Sequence, residues 1–219
     1  MGMSGKPFLQ LVAERRSTPS FEHTPVPQED IEAILSAARH APSSYNLQPW
    51  RFIVIRSAEG RKRLRLACYN QPKVEEAPLV IVACGDSDGW RNGDLDEMLR
   101  IGREGGMPEN FLEQMRTHVP DYLNDLPNYE AWLNRQVIMA FATMMWAAES
   151  LGYDTAPMEG FDVEKIRSAL KLPLSYRPVA LLAIGHATGS GKYNGGRFTQ
   201  SRTVFDEEYP KPLRDISRV

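Results

Sequence analysis

The chain has 219 residues, 42% apolar and 25% charged, and its 26 Lys and Arg against 28 Asp and Glu leave a formal net charge of −2. A chain of this length buries roughly 70% of the surface it exposes when unfolded, enough for a real core. Its charge balance supplies no basic excess for neutralising nucleic-acid phosphates or an anionic membrane. Phe8 to Arg16 reads as a short helix with Phe8, Leu9, Leu11 and Val12 on its apolar side, stopped by Ser17-Thr18-Pro19. A second helix starts near Pro27, with Glu29 and Asp30 close to its positive end. Ile31, Ile34, Leu35 and Ala38 follow at helical spacing, and the helix ends before Pro42.

Trp50 to Arg56 is a run of apolar and β-branched residues and reads as a buried strand, followed by a basic helix from Glu59 to about Cys68. Leu79 to Cys84, entered through Pro78, reads as a second buried strand. Residues 86–127, punctuated by Asp, Gly, Asn and Pro, predict several short helical pieces in an excursion over the surface, of the kind that forms a lid. The clearest helix runs from Tyr129 to Leu151. Its apolar residues cover far more than one narrow face, which requires a central position or a subunit contact. The TAPMEG stretch reads as a loop, Asp162 to Leu170 as a short helix and Val179 to Ile184 as a third buried strand. Past Gly189 the chain turns flexible in composition and carries few core-type residues. The expected division is therefore a domain over 1–195 and a C-terminal arm over 196–219. Three buried strands among five or more helices make a mixed α/β layered domain, with the strand order unreadable.

Several chemistries are excluded by pattern. There is no GxSxG elbow, HExxH, EF-hand loop, P-loop or GxGxxG, and His23, His40, His118 and His186 have no spacing partners. Cys68 and Cys84, with no CxxC or Cys/His pairing, read as buried reduced thiols. The N-terminal MGMSGKPFLQ lacks the basic flank and apolar stretch of a signal peptide, and no window approaches the ~18 apolar residues of a membrane span. The expectation is a cytoplasmic protein that binds neither nucleic acid nor membrane.

What remains is a set of polar segments between apolar elements: ERRSTPSF (14–21), ARHAPSSYNLQPWRFIVI (38–55), NQPKVEEAPLVIV (70–82), APMEGFD (156–162) and QSR (200–202). Taken singly, each passes for a turn, a cap or a solvated charge. In this order and at these separations they resemble the FMN-dependent nitroreductase family, specifically its oxygen-insensitive NAD(P)H nitroreductase and flavin reductase group. The likeness covers most of the chain, from about Glu14 to Arg202. It implies an α+β fold, a mostly antiparallel sheet surrounded by helices, in an intertwined homodimer with FMN at the interface. The long apolar helix would pack across the dimer and the arm would lie over the other subunit.

By position in the family, Arg15 and Arg202 would hold the FMN phosphate, with Ser17 and Arg16 near the phosphate or ribityl chain. Pro42, Ser43, Ser44 and Asn46 correspond to a segment lent by the partner beside the ring. Asn70 and Lys73 match the pair at the pyrimidine edge. Pro157 and Met158 lead to Glu159, whose backbone N–H matches the donor to flavin N5, with Gly160 permitting close approach. Tyr45 falls in the substrate pocket. NADH or NADPH and a small electron acceptor would alternate on the open flavin face, and a nicotinamide held by stacking needs no Rossmann fingerprint. The alternatives are a flavin-binding carrier or sensor without turnover, and a dehalogenase-like relative.

Two departures stand out. Pro19 occupies a position that carries Lys or Arg in enterobacterial members. Gln200 stands where Lys is common, a loss of about 1–3 kcal/mol in phosphate affinity unless Arg197 or Lys192 replaces that charge.

Overall fold

A strand with an unbroken apolar run through its middle is stable only if both of its faces are covered. In the computed structural model, which describes residues 6–189 and 195–212, two such strands form the centre of the fold. β2 (Leu79–Asp86) is buried throughout. Its Leu79, Ile81 and Ala83 enter one core, while Val80, Val82 and Cys84 enter another. β4 (Tyr176–Gly185) pairs antiparallel with β2 and divides in the same way, Ala180, Leu182 and Ile184 against Leu181 and Ala183. β1 (Trp50–Ile55) and β3 (Asp154–Met158) flank them in an antiparallel sheet of order β1-β2-β4-β3. The α+β expectation is met with four strands.

Helices close both faces. The first core is covered by α2 (Gln28–Arg39), through Ile31 and Ile34, and by α7 (Tyr129–Ser150), through Val137, Ala140, Phe141 and Met144. The second is covered by α3 (Ala58–Ala67), α4 (Pro72–Glu76) and α8 (Val163–Leu170), which supply Leu64, Val74 and Ile166. α1 (Phe8–Glu14) buries none of its residues and touches the body where the Phe8 ring meets Trp146 edge-on at 5.9 Å. The 22-residue α7 is the most apolar helix. Even so, among the described residues no helix is long and apolar enough to cross a membrane.

Three expectations need correction. The TAPMEG stretch is the edge strand β3, not a loop. Pro157 misleads there because a proline cannot donate to a ladder, yet an edge strand needs only one of its two sides bonded. β4 begins at Tyr176, before the expected Val179. The ladder pairs Ala83 with Ala180 and Cys84 with Pro178, so the extra residue makes a bulge that accommodates Pro178 in a central strand.

Residues 86–127 are more ordered than a run of short pieces over the surface. They hold α5 (Asp94–Glu104) and α6 (Glu109–Asn124), whose Leu95, Leu99, Leu112 and Val119 form a third core with Trp132 and Leu133 of α7. A clamp fixes this unit to the sheet. Arg51 of β1 donates two hydrogen bonds to the Asp94 carboxylate, at 2.7 and 2.9 Å, and lies 3.1 Å from Asp86.

The junction of α7 with the sheet is tightest at Gly85, where a Cβ would lie 2.5 Å from Leu133 Cγ. Gly85→Ala is expected to destabilise the fold by about 1–3 kcal/mol through overpacking. Thermal unfolding should show a midpoint lower by roughly 2–4 °C per kcal/mol. Combined with Leu133→Ala it should cost less than the two single changes added together, and strict additivity would contradict the contact.

Candidate functional site

A residue with a side chain held at positive φ costs on the order of 1–3 kcal/mol and persists only where its surroundings over-determine it. Among the described residues seven non-glycine positions have positive φ, and five of them, Tyr45, Asn46, Gln48, Tyr69 and Asn70, fall in two segments. Both segments are ones the sequence singled out.

The first segment joins α2 to β1 and is pinned to the N-terminal half of α7. The Ser44 N–H donates to Gln136 Oε1 at 2.9 Å, Trp132 Nε1 donates to Ser44 Oγ at 3.4 Å, and the Gln48 N–H donates to Ser43 Oγ at 3.0 Å. Tyr45 is wedged edge-on against His118 and Tyr122 of α6, at 5.8 and 5.3 Å between ring centres. Pro42 and Asn46 are exposed.

The second segment leaves α3 through Tyr69 and Asn70. Arg65 donates to Asn70 Oδ1 at 2.8 Å while paired with Glu75 at 2.9 Å, which sets the side chain of Asn70. Gln71 Nε2 donates to the Gly160 carbonyl at 2.9 Å, and the Tyr69 hydroxyl donates to the Phe161 carbonyl at 3.3 Å. These bonds draw Asn70–Lys73 onto the end of β3, beside Pro157, Met158 and Glu159. A Cβ on Gly160 would stand 3.1 Å from Gln71 Nε2, so a glycine keeps the two segments this close. Lys73 is half-buried and makes no ion pair among the described residues.

Along the free edge of β3 a third segment docks, where the Thr18 N–H donates to the Thr155 carbonyl at 3.0 Å. Just ahead of it, Arg15, Arg16 and Ser17 meet Gly195 and Arg197 around a cavity of about 320 Å³ with no carboxylate in its wall. Arg16 Nη1 donates to the carbonyls of Ala13 and Arg15, both at 2.7 Å. Arg15 Nη1 is buried with no acceptor. A guanidinium N–H left unsatisfied is expensive, and an anion in this cavity would satisfy it.

Arg15–Ser17, Asn70–Lys73 and Pro157–Gly160 therefore converge along β3. The Pro42–Asn46 segment does not join them. It leads into β1, the opposite edge, three strand spacings or about 14 Å across the sheet. Arg202 lies on the exposed α9 (Gln200–Thr203), its guanidinium 4.8 Å from the centre of the Phe198 ring, and does not line the cavity. Of the two cations considered as replacements at the tail, Arg197 does line it, while Lys192 lies outside the described residues.

Sequence reasoning missed Gln71 and Gln136. Gln136 carried a signal, being a polar residue on the buried stripe of α7, 4% exposed. Gln71 carried none. Both cysteines are free and buried, their thiols pushed up to about 12 by burial, which makes them poor nucleophiles. Among the described residues no group of three or more His, Cys, Asp or Glu is placed to hold a metal.

Residues 12–186 match the Nitroreductase family. An NADH dehydrogenase of Thermus thermophilus is 33% identical over 191 residues, 87% of this chain and 91% of that protein. An oxygen-insensitive NAD(P)H nitroreductase of Enterobacter cloacae is 26% identical over 191 residues, 82% of this chain and 87% of that protein. A solved structure from Exiguobacterium sibiricum, in complex with FMN, superposes with a TM-score of 0.80 at 28% identity, covering 91% of this chain and 96% of that one. With the matched span running from Val12 to His186, across both strained segments and all four strands, the chain belongs to the Nitroreductase family.

Proposed function

We propose that the chain is an FMN-dependent oxidoreductase. It takes a hydride from NADH or NADPH and passes it to an electron-poor small molecule such as a nitroaromatic, a quinone, an activated alkene or a free flavin. The two half-reactions use the same face in turn, a ping-pong scheme. The observation that carries this reading is the buried, unpartnered Arg15 Nη1 at a cavity walled by Arg16, Ser17 and Arg197, on the edge strand that also gathers Asn70, Lys73 and Gly160. The FMN complex of the Exiguobacterium relative supports it.

The donor set present suits the chemistry of FMN: cationic forks for a phosphate and polar groups for a ring edge. Arg15, with Arg16, Ser17 and Arg197, would hold the phosphate, and Arg202 would join them from the arm. Fork-shaped guanidinium donors suit phosphate oxygens. Asn70 and Lys73 would hold the pyrimidine edge, and Pro157 and Met158 would wall the ring. The backbone N–H of Glu159 would face N5, with Gly160 clearing space for the approach. When bound, FMN supplies the two-electron hydride chemistry that this side-chain set lacks. Lys73 contributes a fixed positive charge where negative charge develops on reduction. Tyr45, fixed by His118 and Tyr122, would line the acceptor's side of the pocket.

The working unit of this proposal is a homodimer, in which Pro42, Ser43, Ser44 and Asn46 of each copy complete the other copy's site. Support comes from the separation of the two groups of residues across one sheet and from apolar side chains left on the surface. Phe8, Leu9 and Val12 of α1 and Ile138 of α7 are exposed, and a cavity of about 550 Å³ runs beside Ile138 and Met139. Phe198 and Tyr209 of the arm are 73% and 80% exposed. Such a set of apolar residues is what a subunit contact covers.

The direct test is an absorption spectrum of the purified protein before and after anaerobic NADH or NADPH. Flavin bands near one per chain that bleach on reduction are expected. Bands that stay oxidised would favour a carrier or sensor, and a protein that refuses added FMN would end the reading. Arg15→Ala and Arg202→Ala should each weaken FMN binding by about 1.5–3 kcal/mol, roughly 10- to 100-fold, with the dimer's elution volume kept. Full occupancy at low micromolar flavin in Arg202→Ala would remove the arm from the phosphate site. Lys73→Ala should keep FMN yet slow its reduction by about tenfold, near 1.4 kcal/mol in barrier. Unchanged stopped-flow rates would take Lys73 out of that role.

A further inference from the structure

Among the described residues six arginines are half-buried, and three of them have a carboxylate partner. Arg51 is paired with Asp94 and Asp86, Arg65 with Glu75, and Arg167 has Glu164 at 3.5 Å. Arg15 and Arg16 face the cavity proposed for the FMN phosphate. Arg61 is the remaining one. Its Nε donates to the Glu75 carbonyl at 3.0 Å, and its Nη1 donates to the carbonyls of Arg56 and, at 3.4 Å, Pro78. Carbonyls orient a guanidinium but leave its charge in place. Nη2 makes none of these bonds, and Arg61 has no ion pair among the described residues.

Arg61 lines a cavity of about 510 Å³, within the range of roughly 300–1,000 Å³ of small-molecule pockets. A second cationic side chain, Arg56, and the imidazole of His23 stand on its wall, and no Asp or Glu does. Arg56 is held by a bond from its Nη1 to Gln28 Oε1 at 2.5 Å and also lacks an ion pair. Ala58, the first residue of the ten-residue α3, adds the positive end of a helix. The rest of the wall is apolar, with Val26, Ile31 and Leu79, all nearly inaccessible, beneath it.

We propose that this cavity binds a small organic monoanion, a carboxylate on an apolar body of several carbons. The carboxylate would meet Arg61 and Arg56 beside His23, and the body would lie on the wall formed by Pro25 and Val26. The site lies where β1 ends and β2 begins. The Pro42–Gln48 segment is at the other end of β1, and Arg15 is at the other edge of the sheet. This site is therefore separate from the flavin residues, and it stands whether or not the flavin reading does.

Isothermal titration of the purified protein, with whatever flavin it carries, uses octanoate as the probe and acetate and inorganic phosphate as controls. One octanoate site per chain is expected, with both controls weaker by about tenfold or more, some 1.4 kcal/mol. Arg61→Gln should weaken octanoate by at least about tenfold. Arg56→Gln, a change at an exposed side chain that leaves the fold and flavin content intact, should weaken it several-fold. Equal octanoate affinity in Arg56→Gln and the unaltered protein overturns the proposal, as does phosphate binding as tightly as octanoate. Release of flavin by octanoate, or no binding up to about 1 mM, overturns it as well.

Discussion

Everything in this fold depends on β2 and β4 being covered on both faces. Leu79, Ile81 and Ala83 must find one core and Val80, Val82 and Cys84 another, so helices have to close the sheet from above and below. Once both faces are used, only the edges and the ends of the strands can carry chemistry. β3 collects Thr18 along its open side and Gln71 at its end, and β1 is entered through the strained Pro42–Gln48 segment. The placement of the candidate site is a consequence of how the sheet is buried.

Electrostatics shows a second regularity. The arginine that holds the fold together, Arg51, has carboxylate partners: it ties α5 to β1 through Asp94 and Asp86. Arg15 and Arg61 make no ion pair among the described residues; Arg61 sits at a cavity without acid in the wall, and Arg15 stands between one such cavity and another walled by Glu14, Glu149 and Asp154. A partly buried cation without a counter-ion weakens the fold it sits in. Its presence is better explained by an anion from outside the chain than by packing.

The sequence was most legible where a residue type answers to one physical demand. Alternation-free apolar runs marked three of the four strands, and the all-round apolar character of Tyr129 to Ser150 marked α7. It was least legible where a local signal is overruled by a tertiary one. Pro157 and Pro178 both argue against strands, yet one sits on an edge and the other at a bulge. Residues 86–127 looked like surface because their turn-forming residues are frequent, but Leu95, Leu99, Leu112 and Val119 find a shared core only after α5 and α6 fold back on Trp132 and Leu133.

The candidate residues, from Arg15 to Gly160, are named from the resemblance that their motifs carry in order and spacing, because taken singly each passes for a turn, a cap or a solvated charge. Which of them stand together was not local. Gln71 bonding to the Gly160 carbonyl and Thr18 bonding to Thr155 join residues far apart in sequence, and no spacing pattern encodes such bonds. Sequence alone determined the class of fold and nominated the residues of the candidate site. Tertiary structure alone decided that Arg15, Asn70 and Gly160 share the β3 edge while Ser44 lies across the sheet, because strand order is set by the joint packing of both faces.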